Sequence, residues 1–424
     1  MRPLALLATA VFAVAGGWLT GVHAAEPALG GDVDSLLGYA RAHHPEFAAL
    51  QAEADAAMAR VDPAAALPDP MFGVELRDFT NEARGGGASL SPGRVGATRY
   101  TLTQNLPWFG KRELRREIAS AGADAMRHQA NVGWTELAWR IKQTYAQHHV
   151  HMASLRYGRE NLELLGQLER IAQVRYANGL TPQQDVIRAQ TERTALESEL
   201  AQLEGENQQA GVRMQSLLGQ PAGLHLMPPE RLRPMPVPAR LTQDALEASL
   251  AANNPRLATE SARIAAAEKS RELAYKERYP DVNVGVAAMQ ERNRVASYDL
   301  MFEINIPLQQ DRRRAQEREA ERMLDAAKQR NAAALLDVRA DLAESLAALQ
   351  SARRIETLTE ASLLPQAELT LQAALAGYET GKVDFAAVLD AQRQLRKAKE
   401  DLVRARATQR MRLADIERAI GEDL

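Results

Sequence analysis

KRELRREIASAGADAMRHQANVGWTELAWRIKQTYAQHHVHMASLRYGRENLELLGQLERIAQVRYAN, residues 111–178, runs for 68 residues without a proline. Read as one helix, it predicts a rod of roughly 100 Å at 1.5 Å per residue, longer than an ordinary globular domain holds. Its apolar positions Leu155, Leu162, Leu165, Leu168 and Ile171 recur at steps of seven and three, so the rod needs partner helices along a stripe. Residues 311–378 repeat the helical pattern, with Leu335, Val338, Leu342, Leu346 and Leu349 at steps of three and four.

On the N-terminal side, residues 34–61 predict a helix with Leu36, Leu37, Phe47, Leu50 and Met58 as apolar positions, closed by Pro63, Pro68 and Pro70. The period then changes to two. Phe72, Val74 and Leu76 alternate with Gly73, Glu75 and Arg77; after the glycines at 85–87, Tyr100 and Leu102 alternate with Thr101 and Thr103. This predicts a hairpin of two strands of about ten residues each, left through Asn105-Leu106-Pro107. On the C-terminal side the rod stops at Asn178-Gly179, a left-handed cap, and Thr181-Pro182 opens a further helix that reaches about Leu218. A proline-rich linker, 221–241, carries no period.

The order then recurs. Residues 246–278 predict a helix; Val282, Val284 and Val286, then Leu300, Phe302 and Ile304 around a turn near Asn293, predict a second hairpin. Asn305-Ile306-Pro307 mirrors Asn105-Leu106-Pro107, Tyr378-Glu379-Thr380-Gly381 mirrors Tyr176-Ala177-Asn178-Gly179, and Ile420-Gly421 mirrors Leu218-Gly219. Landmarks in one order about 200 residues apart predict an internal tandem duplication, with repeats at 25–220 and 242–424. In the last helix Val388, Leu395, Leu402 and Ile416 keep a seven-residue period that Gln409 interrupts. Residues 1–24 read as a signal peptide: Arg2, an apolar run, and the small-x-small site Val22-His23-Ala24.

With no cysteine the chain has no disulfide, thiolate ligand or lipidated N-terminus, and a net charge of −3 offers no basic face for nucleic acid. Neither a nucleophile-base signature nor a metal motif is present, so an enzyme is not expected and no cofactor is implied. His148 and His151, three apart on one helical face, are the candidates for a metal; a solvated histidine cluster is the competing reading. Ten-residue strands with one apolar face suit a tilted crossing of an outer membrane, where only a closed barrel satisfies the backbone. Four strands cannot close one, so copies must associate. Phe72, Val74, Leu76, Leu102, Val282, Val284, Val286, Leu300, Phe302 and Ile304 are expected to face lipid. Glu75, Arg77, Thr101, Thr103, Asp299, Glu303 and Asn305 are expected to face a wet lumen, with Tyr100, Tyr298, Trp108 and Tyr279 at the two interfaces. Lys111, Arg112, Arg115, Arg116 and Arg312, Arg313, Arg314 follow the strand exits, either to hold lipid phosphates or to snorkel from the surface.

The duplicated order, the paired Asn-x-Pro exits and the Tyr-x-x-Gly reversals followed by Asp185-Val186 and by Val388-Leu389-Asp390 resemble the TolC-type outer-membrane efflux family over essentially the whole mature chain. The resemblance implies an α plus membrane β fold: a homotrimer whose 12-stranded β-barrel, four strands per chain, sits in outer-membrane lipid and continues as a periplasmic α-helical barrel. It also implies two partners, a periplasmic adaptor and an inner-membrane pump of the resistance-nodulation-division type. Residues 106–112, LPWFGKR, look most like the branch that exports cobalt, zinc and cadmium or copper and silver. By resemblance, Gly179, Leu180, Thr181 and Gly381, Lys382, Val383 meet the adaptor, and Asp185, Tyr378, Asp384 and Asp390 form a periplasmic gate. Val383 stands where the family has an arginine partner and Ala387 where it has a further acid, which puts the closed-state lock in question. A soluble periplasmic coiled-coil adaptor or scaffold is the rival reading, which leaves the two amphipathic hairpins unexplained.

Overall fold

The computed structural model describes residues 29–80, 87–92, 94–220, 226–229, 231–291 and 294–424. The expected signal peptide, the glycines at 85 and 86, the turn at Asn293 and the start of the linker lie outside them. The 111–178 stretch is indeed one helix, α4 (Lys111–Ala177). Before it come α1 (Val33–His43), α2 (Pro45–Ala59), α3 (Val61–Ala65), β1 (Met71–Arg77) and β2 (Ala97–Leu106). After it come α5 (Gln183–Leu217), α6 (Gln243–Asn253), α7 (Pro255–Lys276), β3 (Val282–Glu291), β4 (Arg294–Ile304), α8 (Gln310–Leu358), α9 (Leu364–Glu379) and α10 (Phe385–Ile420).

Prolines account for the departures from the expected helices. Pro45 and Pro255 divide the single helices expected over 34–61 and 246–278, because each lacks the N–H for the ladder and sits instead in the first turn of a new helix. Pro365 interrupts the second long helix: a π-turn, Thr359–Leu363, separates α8 from α9 just ahead of it. Strand β1 has seven residues rather than ten. Ile171 and Met58, expected on covered stripes, are exposed, whereas Leu165, Leu168, Val338, Leu342 and Leu349 are buried.

The short helices lie end to end along the long ones. Leu50 of α2 meets Gly133 in the first half of α4, and Leu200 of α5 meets Gly158 in the second. At the joint, Gly219 (φ +70°) abuts Pro45 and the His43 carbonyl. Gly421 (φ +78°) abuts Pro255 and the Asn253 carbonyl in the same way, and Asn254 locks that joint through the Ala419 carbonyl at 2.6 Å. Each joint has its own apolar core: Leu36, Phe47, Ile141, Met214 and Leu218 in the first half, Leu246, Leu250, Leu342, Ile416 and Ile420 in the second. The described part of the linker is strapped across α10, Arg233 pairing with the buried Glu417 at 3.0 Å. Gln409, which interrupts the heptad, is buried and donates to Glu356 of α8.

The strands form one antiparallel sheet, ordered β1-β2-β3-β4. Residues paired across antiparallel strands point to one face, and the register pairs Phe72 with Leu102, Leu102 with Val286, and Val286 with Leu300. All ten residues expected to face lipid therefore share one face, and most of that face is exposed. The other face carries Arg99 against Asp299 at 3.8 Å and Asn105 against Asn283 at 2.7 Å.

The sheet is tied to the helices by Lys111. Its ammonium, 1% exposed, lies 2.9 Å from Asp281 Oδ1, 2.9 Å from the Tyr279 carbonyl and 3.3 Å from Glu277 Oε2. Asp281 also accepts the Trp108 N–H at 2.9 Å, and the Trp108 ring stacks on Tyr279 at 5.5 Å. This removes Lys111 from both readings of the first basic cluster, lipid phosphate and snorkelling, while Arg115 and Arg116, more exposed, pair with Glu277 and Asp62.

Substitutions at these joints have defined costs. Lys111→Met strands two partly exposed carboxylates, so its cost is about 2 kcal/mol, below the loss typical of a fully buried pair, read as a lower urea midpoint for the purified protein. Gly421→Ala places a Cβ 2.6 Å from the Asn253 carbonyl at a positive φ and is expected to cost about 1–3 kcal/mol. Gly205→Ala, in open space on α5, is expected to raise the same midpoint.

Candidate functional site: the two helix reversals

The ends of α4 and α9 are built alike. Leu180 N–H reaches the Arg175 carbonyl at 2.9 Å and Gly179 N–H the Tyr176 carbonyl at 2.9 Å. In the second reversal Lys382 N–H reaches Gly377 at 2.8 Å and Gly381 N–H reaches Tyr378 at 3.1 Å. This is the Schellman pattern, and both turns need a residue at φ near +70°, supplied by Gly179 (+71°) and Gly381 (+73°). The expected Thr181 N-cap shifts by one: Pro182 occupies that position and α5 begins at Gln183. The tips, including Gly179, Leu180, Gly381 and Lys382, are exposed; Thr181 and Val383 are half-buried. Val383 packs on Gly377, where any Cβ would lie 2.5 Å from its methyl.

Arginine joins the two tips. Arg175 of α4 sits 4.8 Å over the ring of Tyr378 and donates to the Glu379 carbonyl at 3.2 Å. Tyr378 is buried against Phe385 at 5.3 Å, and burial, with the Asp185 charge nearby, holds its phenol above the usual value. Asp185 itself accepts the Thr181 hydroxyl. Asp384, at the head of α10, accepts the Ala387 N–H at 2.9 Å as an N-cap. Asp390 is exposed and pairs with Arg393 at 3.1 Å. The structure thus gathers Asp185 and Tyr378, and places Asp384 and Asp390 in a cap and a surface pair.

Two bridges went unread in the sequence. Arg393 of α10 grips Glu192 of α5, with Nε 2.8 Å from Oε1, and Arg396 reaches Glu199 at 2.8 Å. Both join the two helix pairs above the tips. Their signal is only a basic pair on one helix and acids on another, which becomes legible once α5 and α10 are known to run side by side. The Arg393 hydrogen bond is the main cause holding the Glu192 carboxyl below its ordinary range.

Among the described residues no group of three or more His, Asp or Glu is arranged to hold an ion. His151 lies 3.5 Å from Glu206 of α5 and His148 faces Asn207. Burial between the helices lowers the pKa of His148, His149 and His151, leaving them neutral at pH 7. Glu206 is the carboxylate that the α4 sequence alone does not contain.

The chain thus joins a long helical stem with exposed tips to a small antiparallel sheet with an exposed apolar face, a layout it shares with a known class. The chain belongs to the outer membrane efflux protein family, whose model matches residues 36–220 and 246–422. It is 23% identical over 405 residues to the pyoverdine export outer membrane protein OpmQ of Pseudomonas putida, covering 92% of this chain and 86% of that protein. Its fold is shared with CusC (TM-score 0.78, 18% identity, 92% of each chain). It is also shared with VceC of Vibrio cholerae (TM-score 0.76, 17% identity, 92% of this chain and 96% of that one). The soluble adaptor reading is not favoured by this membership.

Because the Glu192 carboxyl is depressed by its partner, the α5–α10 bridge contributes stability above the ordinary glutamate pKa and loses it as pH falls through the lower folded value. Spin labels at Thr191 and Gln394, introduced as cysteines into a chain that has none, are expected to keep their separation from neutral pH down to about pH 4 and to spread only below it. Glu192→Gln is expected to show the wider distance at every pH.

Proposed function

We propose that this chain is the outer-membrane exit duct of a tripartite efflux system, a homotrimer that closes a 12-stranded β-barrel from four strands per copy and continues as a periplasmic α-helical barrel. The observation that carries the reading is the sheet: one exposed apolar face, and two edges, β1 and β4, that have no partner within the described residues. In lipid an unpaired edge is untenable, and joining β4 of one copy to β1 of the next satisfies it.

The repeated element order and the matching joints at Gly219 and Gly421 support a tandem duplication, with a signal peptide at 1–24, repeats at 25–220 and 242–424, and a linker at 221–241. On this reading the tips at Gly179, Leu180, Thr181 and at Gly381, Lys382, Val383 meet a periplasmic adaptor, which couples the duct to an inner-membrane pump of the resistance-nodulation-division type. Asp185 and Tyr378 hold the tip closed, Asp390 lines its entrance, and Asp384 serves chiefly as the cap of α10. With Val383 in place of arginine, the Arg393–Glu192 and Arg396–Glu199 bridges take over part of the lock. The duct performs no bond chemistry.

For the substrate we assign heavy-metal cations, supported by the LPWFGKR exit at 106–112. Export of an organic product is the second reading, favoured by the likeness to OpmQ, which is named for pyoverdine export. A strain lacking the gene is expected to lose tolerance to zinc, cobalt, cadmium, copper or silver while secreting organic products normally. Unchanged metal tolerance with retained pyoverdine-like product inside the cell would reverse the assignment. Recovery of the native protein as a trimer in the outer-membrane fraction, resisting carbonate extraction, tests the duct itself.

A further inference from the structure

Where the sheet meets the helices lies a cleft of about 580 Å³, within the range of roughly 300–1,000 Å³ in which proteins enclose small ligands. Leu67, Leu106, Phe109 and Val282 supply apolar wall, and Arg112 and Glu113 supply charge. The register pairs Leu106 with Val282 and Val282 with Ile304, the last rung of the apolar sheet face on the helix side. The cleft is therefore continuous with that face. Phe109, 86% exposed, is left beside it, its ring in edge contact with Trp108 at 5.8 Å. Arg112 spends Nε on the Ala65 carbonyl at 2.6 Å, and its terminal nitrogens have no other partner among the described residues.

We propose that this cleft is a phospholipid site: one acyl chain of a lipid from the periplasmic leaflet lies against Leu67, Leu106, Phe109 and Val282, and its headgroup meets Arg112 and Glu113. The proposal rests on the reading that the strands cross the outer membrane. The two adjacent charges specify the headgroup. Arg112 presents donors to a phosphate, and a bare phosphate would be repelled by Glu113 beside it; a zwitterionic headgroup brings an ammonium that Glu113 accepts. Phosphatidylethanolamine fits this pair, whereas phosphatidylglycerol satisfies the arginine alone. The acyl chain in turn covers Phe109, which otherwise leaves a large ring in water.

The test uses the full-length protein reconstituted in vesicles doped with phosphatidylethanolamine or phosphatidylglycerol carrying a diazirine on one acyl chain. After irradiation, adducts are mapped by peptide mass spectrometry. Adducts on residues 65–67 and 106–109 are expected to be roughly three- to tenfold more abundant with phosphatidylethanolamine, the effect of one charge-assisted hydrogen bond at a partly exposed site. Glu113→Gln removes that preference, Arg112→Gln lowers labelling by both lipids, and Leu67→Trp fills the cleft and lowers labelling at 106–109. Adducts on residues 300–304 stay constant in all three variants, which shows that each is folded and inserted. Equal labelling by both lipids, unmoved by the variants, would reduce the cleft to ordinary annular contact and overturn the site. Cross-links from Phe109 to a second copy, without lipid adducts, would assign the cleft to a neighbouring protomer instead. Absence of adducts at 300–304 as well would remove the membrane crossing on which the site depends.

Discussion

A single buried ammonium holds together the two parts of this molecule, its helices and its sheet. Lys111 begins the longest helix and is almost wholly removed from water, yet its partners come from the turn that enters β3. A charge buried in that way is tolerated only with its hydrogen bonds met, so the end of α7, the entry to β3 and the start of α4 are fixed relative to one another. The aromatic stack of Trp108 on Tyr279 closes the same corner. The sheet cannot tilt without opening it, and the orientation of the apolar face is thereby set from the helical side.

Below that corner the architecture follows from length. A helix as long as α4 cannot be covered by one neighbour of ordinary size, and the chain covers it with short helices meeting at a proline break. The glycines that end α5 and α10 fit against those breaks because they alone lack the Cβ that would strike the facing backbone. The same device serves both halves, so each joint has its own core, while further apolar clusters join α4 to α10 and gather the two reversals.

The features legible in the sequence were those written in a single period. The long helix, the two hairpins and the face parity of all ten apolar strand residues could be read from spacing, and both reversals from the glycine that ends each helix. What spacing missed came from single residues or from partners distant in sequence. Pro45, Pro255 and Pro365 changed helices whose periodicity runs through them without a mark. The basic cluster looked like a surface because the partners of Lys111 lie 166 to 170 residues away. Glu206 beside His151, and the Arg393 bridge to Glu192, likewise depend on which helices become neighbours. The gate acids divided accordingly: Asp384 is used up by a local cap that sequence can predict, while the setting of Tyr378 depends on an arginine from the other reversal.

The π-turn at Thr359–Leu363 also has a historical meaning. The two Asn-x-Pro exits stand 200 residues apart in the chain, but the two tip glycines stand 202 apart. On the proposed duplication, one half therefore carries extra residues within its long helix. A π-turn is the shape a helix takes when it absorbs an inserted residue without lengthening its axis or unwinding. Each residue otherwise advances a helix by roughly 100°, so an unabsorbed insertion would have turned every downstream side chain away from its neighbours. At the Pro365 break the bulge takes up one of those residues, and the rest lengthens the second long helix relative to α4.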